Sequence, residues 1–298
     1  MTDSRCMFVA LVGQPNVGKS TLLNRVVGSK ISIVTPKVQT TRTRVVGILV
    51  RNEVQIIFVD TPGIFEPKQR LQRAMVDAAW SSARDADCVV LLIDVNAALN
   101  DHTYPLIATM RKRKFSVIAA LNKIDLTKPS HLLRLTADLD KESLFTDIFM
   151  ISALTGDGVE DLVKKLAEIA PIGPWLYPKD QVADIPIRLL AAEITREKLF
   201  LQLQNELPYS AAIETEQWTE RKDGAVRIDQ TIYVQRKSQK MIVVGKNGAR
   251  IKSIGSAARS ELETVLERRV HLFLHVKVRH DWSERPEHYR TIGLDFLA

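Results

Sequence analysis

The run Gly13-Gln14-Pro15-Asn16-Val17-Gly18-Lys19-Ser20 matches G-x-x-x-x-G-K-[ST], between an apolar stretch, Met7–Val12, and a helical one opening Thr21-Leu22-Leu23. Such a loop needs glycine where backbone N–H groups turn inward around phosphate oxygens, and the following helix adds the positive end of its dipole. Lys19 is expected to reach the β and γ phosphates and the Ser20 hydroxyl to ligate Mg²⁺. Gln14, Pro15, Asn16, Val17 and Thr21 complete the expected cradle. Four fixed positions match by chance in roughly 0.01 chains of this length, so a glycine turn without a ligand is the weaker alternative.

Working outward, Met7–Val12, Val54–Val59, Cys88–Val95, Ser116–Leu121 and Asp147–Ile151 read as strands. Amphipathic helical segments separate most of them, which predicts an α/β domain: a mostly parallel sheet flanked by helices on both faces. Asp60-Thr61-Pro62-Gly63 ends one strand, where the Asp60 carboxylate can hold Mg²⁺ through water and the Gly63 N–H can sense a γ-phosphate. Asn122-Lys123-Ile124-Asp125 ends another. A carboxylate such as Asp125 accepts from N1 and the 2-amino group of guanine, whereas adenine would leave it unpaired. After a phosphate loop on the same sheet, this motif selects GTP over ATP.

At 298 residues the chain has room for about two domains. Its composition, 45% hydrophobic and 26% charged, argues against a disordered or disulfide-stapled chain. Cys6 and Cys88 lack metal-ligand spacing and read as the ordinary thiols of a reduced cytosolic protein. No apolar run approaches the ~18–20 residues that span a bilayer. Cys6–Val12 runs into a glycine loop rather than a cleavage site, so it is not read as a signal-peptide core.

The net charge of +7 points to a polyanionic partner, and its location is informative. Arg236, Lys237, Lys240, Lys246, Arg250, Lys252 and Arg259 fall in a stretch, Gln230–Arg259, without an acidic residue. Upstream, Pro171, Pro174, Pro178 and Pro186 break both helix and strand, so 171–186 is expected to link a first domain, 1–170, to a second, 187–298. The second reads as a helix over Arg188–Asn205, strands over Tyr209–Thr219 and Val226–Arg236, a helix over Ala249–Arg268, and a strand with one buried face over Val270–Val278. Gly245-Lys246-Asn247-Gly248 precedes the later helix. A lone G-x-x-G is weak evidence and can be a helix-capping turn. Its basic setting and its place between helices favour a loop that clamps single-stranded RNA.

Residues 7–168 resemble GTPase domains of the translation-factor-like group, with Gln39-Thr40-Thr41-Arg42 as the first switch and Ser152-Ala153-Leu154 beside guanine O6. The order helix–strand–strand–helix–GxxG–helix–strand resembles a smaller α+β KH domain of the bacterial type (type II). Together they resemble the bacterial Era family nearly end to end, including the ending Val276–Trp282. The resemblance implies GTP and GDP as bound nucleotides, Mg²⁺ as cofactor, slow GTP hydrolysis, and binding to the 3′ end of 16S ribosomal RNA during maturation of the small ribosomal subunit. It points to Thr41 as a Mg²⁺ ligand, with Thr40 the competing candidate. It carries RNA contact to Gly245, Lys246, Asn247, Gly248, Arg250, Ile251 and Lys252, and less directly to Arg236 and Lys240. A cytoplasmic monomer is expected. Family members are also described as peripheral at the inner membrane face, although no lipidation motif or Lys/Arg-rich cluster here explains it.

Hydrolysis is less settled. Where Ras-like enzymes carry a water-orienting glutamine, this chain has Ile64, which cannot hydrogen-bond water. Asn16 has two readings, a K⁺ ligand standing in for an arginine finger or a turn residue. Arg42 or Arg44 acting in cis is a weaker route. A scaffold with a structural nucleotide remains the alternative to a switch. A single set of guanine motifs excludes a tandem GTPase, and the KH pattern disfavours a tRNA-modification type. Trp80, Trp175, Trp218 and Trp282 read as packing anchors, while Phe273 falls on the outer face of its strand with no ligand assigned.

Overall fold

The computed structural model describes residues 4–97, 99, 101–204 and 207–296. They form two compact units that divide between Asp184 and Ile185. The first contains β1 (Arg5–Val12), α1 (Lys19–Val27), β2 (Val45–Arg51), β3 (Val54–Asp60), α2 (Arg70–Asp85), β4 (Cys88–Asp94) and α3 (Thr103–Lys112). It continues with β5 (Val117–Asn122), α4 (Pro129–Asp140), β6 (Phe145–Ile151), α5 (Val159–Ile169) and a two-residue β7 (Ala183–Asp184). The sheet order is β6-β5-β4-β1-β3-β2-β7. The five expected strands run parallel, and β2 and β7 join antiparallel at one edge.

Strands buried on both faces need no polar alternation, and β4 and β5 show none: Val89–Leu92 and Val117–Leu121 are all essentially buried. The sequence reading assigned no strand to 45–51. A short continuous apolar run carries no period that distinguishes strand from helix. A tight turn at Asn52 (φ 53°) folds it back on β3, so that Val45 pairs with Asp60.

The second unit holds α6 (Ile187–Gln202), β8 (Ala211–Glu220), β9 (Val226–Val234), α7 (Lys237–Val244), α8 (Ala249–Leu266), β10 (Val270–Val278) and a short α9 (Pro286–Thr291). Its sheet order is β10-β9-β8, with β10 parallel and β8 antiparallel to β9. The expected end of the first helix at Asn205 lies outside the described residues. Along that helix Glu193, Arg196 and Glu197 are buried together with the apolar side chains. Buried charge is tolerated when paired. Arg196 Nε donates to Glu193 Oε1 at 2.8 Å, and Lys198 Nζ stands 2.8 Å from Glu197 Oε2. Among the described residues, no helix is long and apolar enough to cross a membrane.

The proline-rich segment departs from its expected role as a linker, because its first fourteen residues belong to the first unit. The prolines exclude helix, as expected, but the backbone finds other partners. Gln55 on β3 is fully buried; its Oε1 accepts from Leu176 N (2.9 Å) and Tyr177 N (3.1 Å), and its Nε2 donates to Tyr177 O (2.8 Å). Trp175 Nε1 donates to Glu53 O, Ile48 N to Val182 O, and β7 closes the strap against β2. Replacing Gln55 with Leu orphans three backbone groups, partly rehydrated because Leu176 is exposed, at a cost of about 2 kcal/mol. The N-terminal unit of Gln55→Leu should therefore melt roughly 4–8 °C lower by calorimetry. Wild-type melting would show that the strap contributes nothing to this unit.

Candidate nucleotide site and basic loop

The phosphate loop leaves β1 and enters α1. Lys19, 5% exposed, folds its Nζ back to Gly13 O (3.2 Å) and Gln14 O (2.9 Å), so the loop carbonyls fix the ammonium over the cradle. Burial lowers its pKa to about 8, with the Asp60 carboxylate opposing that shift. Gly18, with φ 101°, has a second constraint: a Cβ there would stand 2.2 Å from Asn122 Nδ2. The side chains of two expected cradle residues point elsewhere. Gln14 Nε2 donates to Thr103 Oγ1, and Val17 is buried in the interior. Pro15 lies against Gly63, while Asn16 and Thr21 line a cavity of about 390 Å³ beneath residues 33–41.

Oxygen donors converge at one end of that cavity. Ser20 Oγ donates to Asp60 Oδ2 at 2.6 Å and stands 2.9 Å from Thr41 Oγ1. Ser32 Oγ, which no sequence motif marks, donates to the same Asp60 oxygen at 2.9 Å. Asp60 Oδ1 is buried with no partner among the described residues. Burial pushes this carboxyl above the usual range, opposed by Lys19 and by the serine hydroxyls. An unpartnered carboxylate oxygen beside two hydroxyls is an all-oxygen donor set that fits Mg²⁺. Thr40 lines the same cavity but bonds elsewhere: its Oγ1 stands 2.6 Å from Thr35 Oγ1 and donates to Lys37 O. Gln39 Oε1 accepts from Gln72, and Arg42 is buried.

Thr61 and Ile64 are turned into the fold. Thr61 Oγ1 donates to Leu11 O from a fully buried position, so that side chain braces β1. Pro62 is buried beside it. Ile64 packs in the interior with Ala79 and Val89, and its N–H donates to Gly13 O. No side chain capable of orienting water leaves that position.

The base-recognition motifs meet at Asn122. Its Nδ2 donates to Val17 O (2.7 Å) and its Oδ1 accepts from Ala153 N (2.9 Å), tying β5 to the phosphate loop and to the loop after β6. Ser152 is buried, with its Oγ accepting from Thr155 N, and Leu154 is exposed. Asp125 stands exposed in a short 3-10 turn after Lys123, its carboxylate turned to solvent. Two contacts escaped the sequence reading because nothing local signals them. Arg25 on α1 donates to the carbonyls of Ala153 and Leu154, and Lys123 Nζ donates to Asp94 Oδ2 at 2.6 Å.

In the second unit, Gly245-Lys246-Asn247-Gly248 turns between α7 and α8. Gly245 (φ 73°) packs so closely that a Cβ would stand 2.7 Å from Arg250 Cβ, and Asn247 (φ 51°) and Gly248 (φ 76°) are also left-handed. Arg250 Nη1 donates to Ile242 O, closing the end of α7. Lys246, Asn247, Lys252, Arg236 and Lys240 are exposed, and Ile251 packs partly into the core. A groove of about 740 Å³ runs past Lys237, Lys240, Met241 and Lys246 to Val278. The four tryptophans are anchors: Trp282 is buried with Nε1 on Ser210 O, Trp218 packs beneath α6, Trp175 holds the strap, and Trp80 packs on the first core.

Residues 8–123 match the family model described as 50S ribosome-binding GTPase, and residues 206–283 match that of the KH domain. The chain is 55% identical to GTPase Era of Brucella suis over 99% of its length and 95% of the relative's. It is also 55% identical to GTPase Era of Mesorhizobium japonicum, covering 97% and 93%. A crystal structure of an Aquifex aeolicus Era variant bound to GDP·AlF4⁻ is similar with a TM-score of 0.92 at 41% identity, covering 97% of this chain and 99% of that one. A crystal structure of Era with MgGDPNP and nucleotides 1506–1542 of 16S ribosomal RNA matches with the same score, identity and coverage. With two domain signatures in order and relatives matched over nearly their whole length, this chain belongs to the Era family of GTPases.

Proposed function

We propose that this GTPase is a switch whose KH domain holds the 3′ end of 16S ribosomal RNA during maturation of the small ribosomal subunit, with GTP hydrolysis resetting its affinity. The observation that carries this reading is one chain holding both a guanine-selective phosphate site and a basic GxxG loop. The relative crystallised with a 16S fragment supports the RNA class. The loop Gly245–Gly248 with Arg250, Ile251 and Lys252 would grip the RNA backbone, and Arg236 and Lys240 would extend the basic track along the groove.

In the nucleotide site, Gly13–Thr21 and Gly63 cradle phosphates while Lys123, Asp125 and Ser152–Leu154 select guanine. Ser20 and Thr41, with Asp60 through water, would hold Mg²⁺, which neutralises phosphate charge when bound. Asn16 lines the same cavity; its Nδ2 donates to Pro36 O (2.8 Å), so its Oδ1 is the group available to a K⁺ ion. Burial of Ile64 favours a second reading, a scaffold whose nucleotide is seldom hydrolysed. Association with a membrane surface belongs to the same reading as an expectation of the family alone.

The deciding experiment is binding of an RNA copying the 16S 3′ end at fixed salt, with GDP and then with a non-hydrolysable GTP analogue. At least ~10-fold tighter binding in the GTP form means about 1.4 kcal/mol of coupling and a switch. Equal affinity favours the scaffold, and no binding in either state removes the RNA assignment. For the metal, Thr41→Ala should raise the Mg²⁺ concentration for half-maximal hydrolysis about tenfold, a loss near 1.4 kcal/mol, and Thr40→Ala should leave it in place. Equal effects would show that the two hydroxyls are not distinguished. Hydrolysis should run about tenfold faster in KCl than in matched NaCl, with Asn16→Ala removing the difference. Equal wild-type rates in the two salts would return Asn16 to a turn role.

A further inference from the structure

Asp94 lies outside every guanine motif, at the last position of β4, yet its carboxylate is divided between two tasks. Oδ1 accepts from Asn96 N (2.9 Å) and Asn96 Nδ2 (3.3 Å), which shapes the turn after the strand. Oδ2 accepts from Lys123 Nζ at 2.6 Å, with the two side chains only 17% and 31% exposed. Lys123 needs such a partner. Its backbone is left-handed (φ 70°, ψ 36°), a conformation uncommon for a residue with a Cβ, and it borders the nucleotide cavity. With the ammonium tied to β4 and the backbone fixed by β5, the aliphatic stem between them has both ends anchored. Val95 N donates to Asn122 O, so the strand ends that carry the two residues are themselves bonded.

We propose that Asp94 is a positioning residue for guanine nucleotides: it holds the Lys123 stem as a preset wall for the base, so the site retains nucleotide without first ordering that side chain. Immobilising a long, rotamer-rich side chain at binding costs free energy, a cost removed when the chain is already held. The proposal rests on the nucleotide-site reading above. Asp94→Asn keeps an acceptor for the Asn96 turn and removes the ion pair, so the fold is retained while Lys123 is released.

The test is the dissociation rate of a fluorescent GDP in Mg²⁺ buffer for wild type, Asp94→Asn, Lys123→Met, the double variant and Asn96→Ala. Asp94→Asn should speed release about tenfold, equivalent to about 1.4 kcal/mol. The double variant should release no faster than Lys123→Met alone, because Asp94 acts through that side chain. Asn96→Ala, which loses a turn contact from the same carboxylate, should release at the wild-type rate. Additive effects in the double variant, an unchanged rate in Asp94→Asn, or equal acceleration by Asn96→Ala would each overturn the proposal. Failure of the wild type to bind the nucleotide would instead overturn the site reading itself. Thermal melting of each variant separates loss of fold from loss of positioning.

Discussion

The nucleotide site depends on a single buried amide. Asn122 stands at the end of β5, between the phosphate loop and the loop after β6, and satisfies one backbone group from each. Both bonds are shielded from water, so losing either would strand a buried polar atom at a cost of about 1–3 kcal/mol. The amide reaches Val17 only because Gly18 has no side chain; any Cβ there would occupy the space of Nδ2. The second glycine of the phosphate motif therefore also makes room for the Asn122 amide. Parallel strands make this possible, since their C-terminal ends lie side by side and deliver Asp60, Asp94 and Asn122 to one edge.

What the sequence disclosed follows from how local each signal is. Gly13–Ser20, Asp60–Gly63 and Asn122–Asp125 are contiguous and need no partner to be recognised. The five parallel strands were legible because buried strands are short, apolar and bounded by turns. Gln55, Arg25 and Asp94 were not, because their roles lie in contacts 122, 129 and 29 residues away. The prolines of 171–186 excluded regular structure but did not disclose that a buried glutamine replaces it as the partner of the backbone. Thr61, inside a contiguous motif, has its hydroxyl committed to Leu11, a contact 50 residues away. Thr40 and Thr41 are adjacent and chemically identical, and only their packing tells them apart: Thr41 stands beside Ser20 and Thr40 beside Thr35.

The second unit resolves a similar tension differently. Its acid-free stretch would repel itself if packed, and the structure leaves Arg236, Lys240, Lys246 and Lys252 in solvent around the loop. The acidic partners are used elsewhere, on α6 and along the outer face of the sheet, where Glu216 meets Lys277 and Asp229 meets Arg227. Arg227 in turn lies 4.6 Å from the Phe273 ring, which accounts for a half-exposed aromatic without invoking a ligand. Net charge alone does not disclose this segregation of exposed cations from cations paired with carboxylates.

Ile64 is buried, and the strap is bonded to the strand that follows the 39–44 segment. Thr41 is four residues from Val45, which pairs with Asp60, and the next residue, Val46, pairs with Asp184. The chain leaves the first unit at the following peptide. The 39–44 segment leads directly into β2, the strand that also holds the last residues before Ile185. Pairing of β7, the Ile48–Val182 bond and the three bonds of Gln55 make β2, β3 and the strap one hydrogen-bonded body. The segment that the prolines alone mark as a linker is thus fixed to the first unit by a buried glutamine.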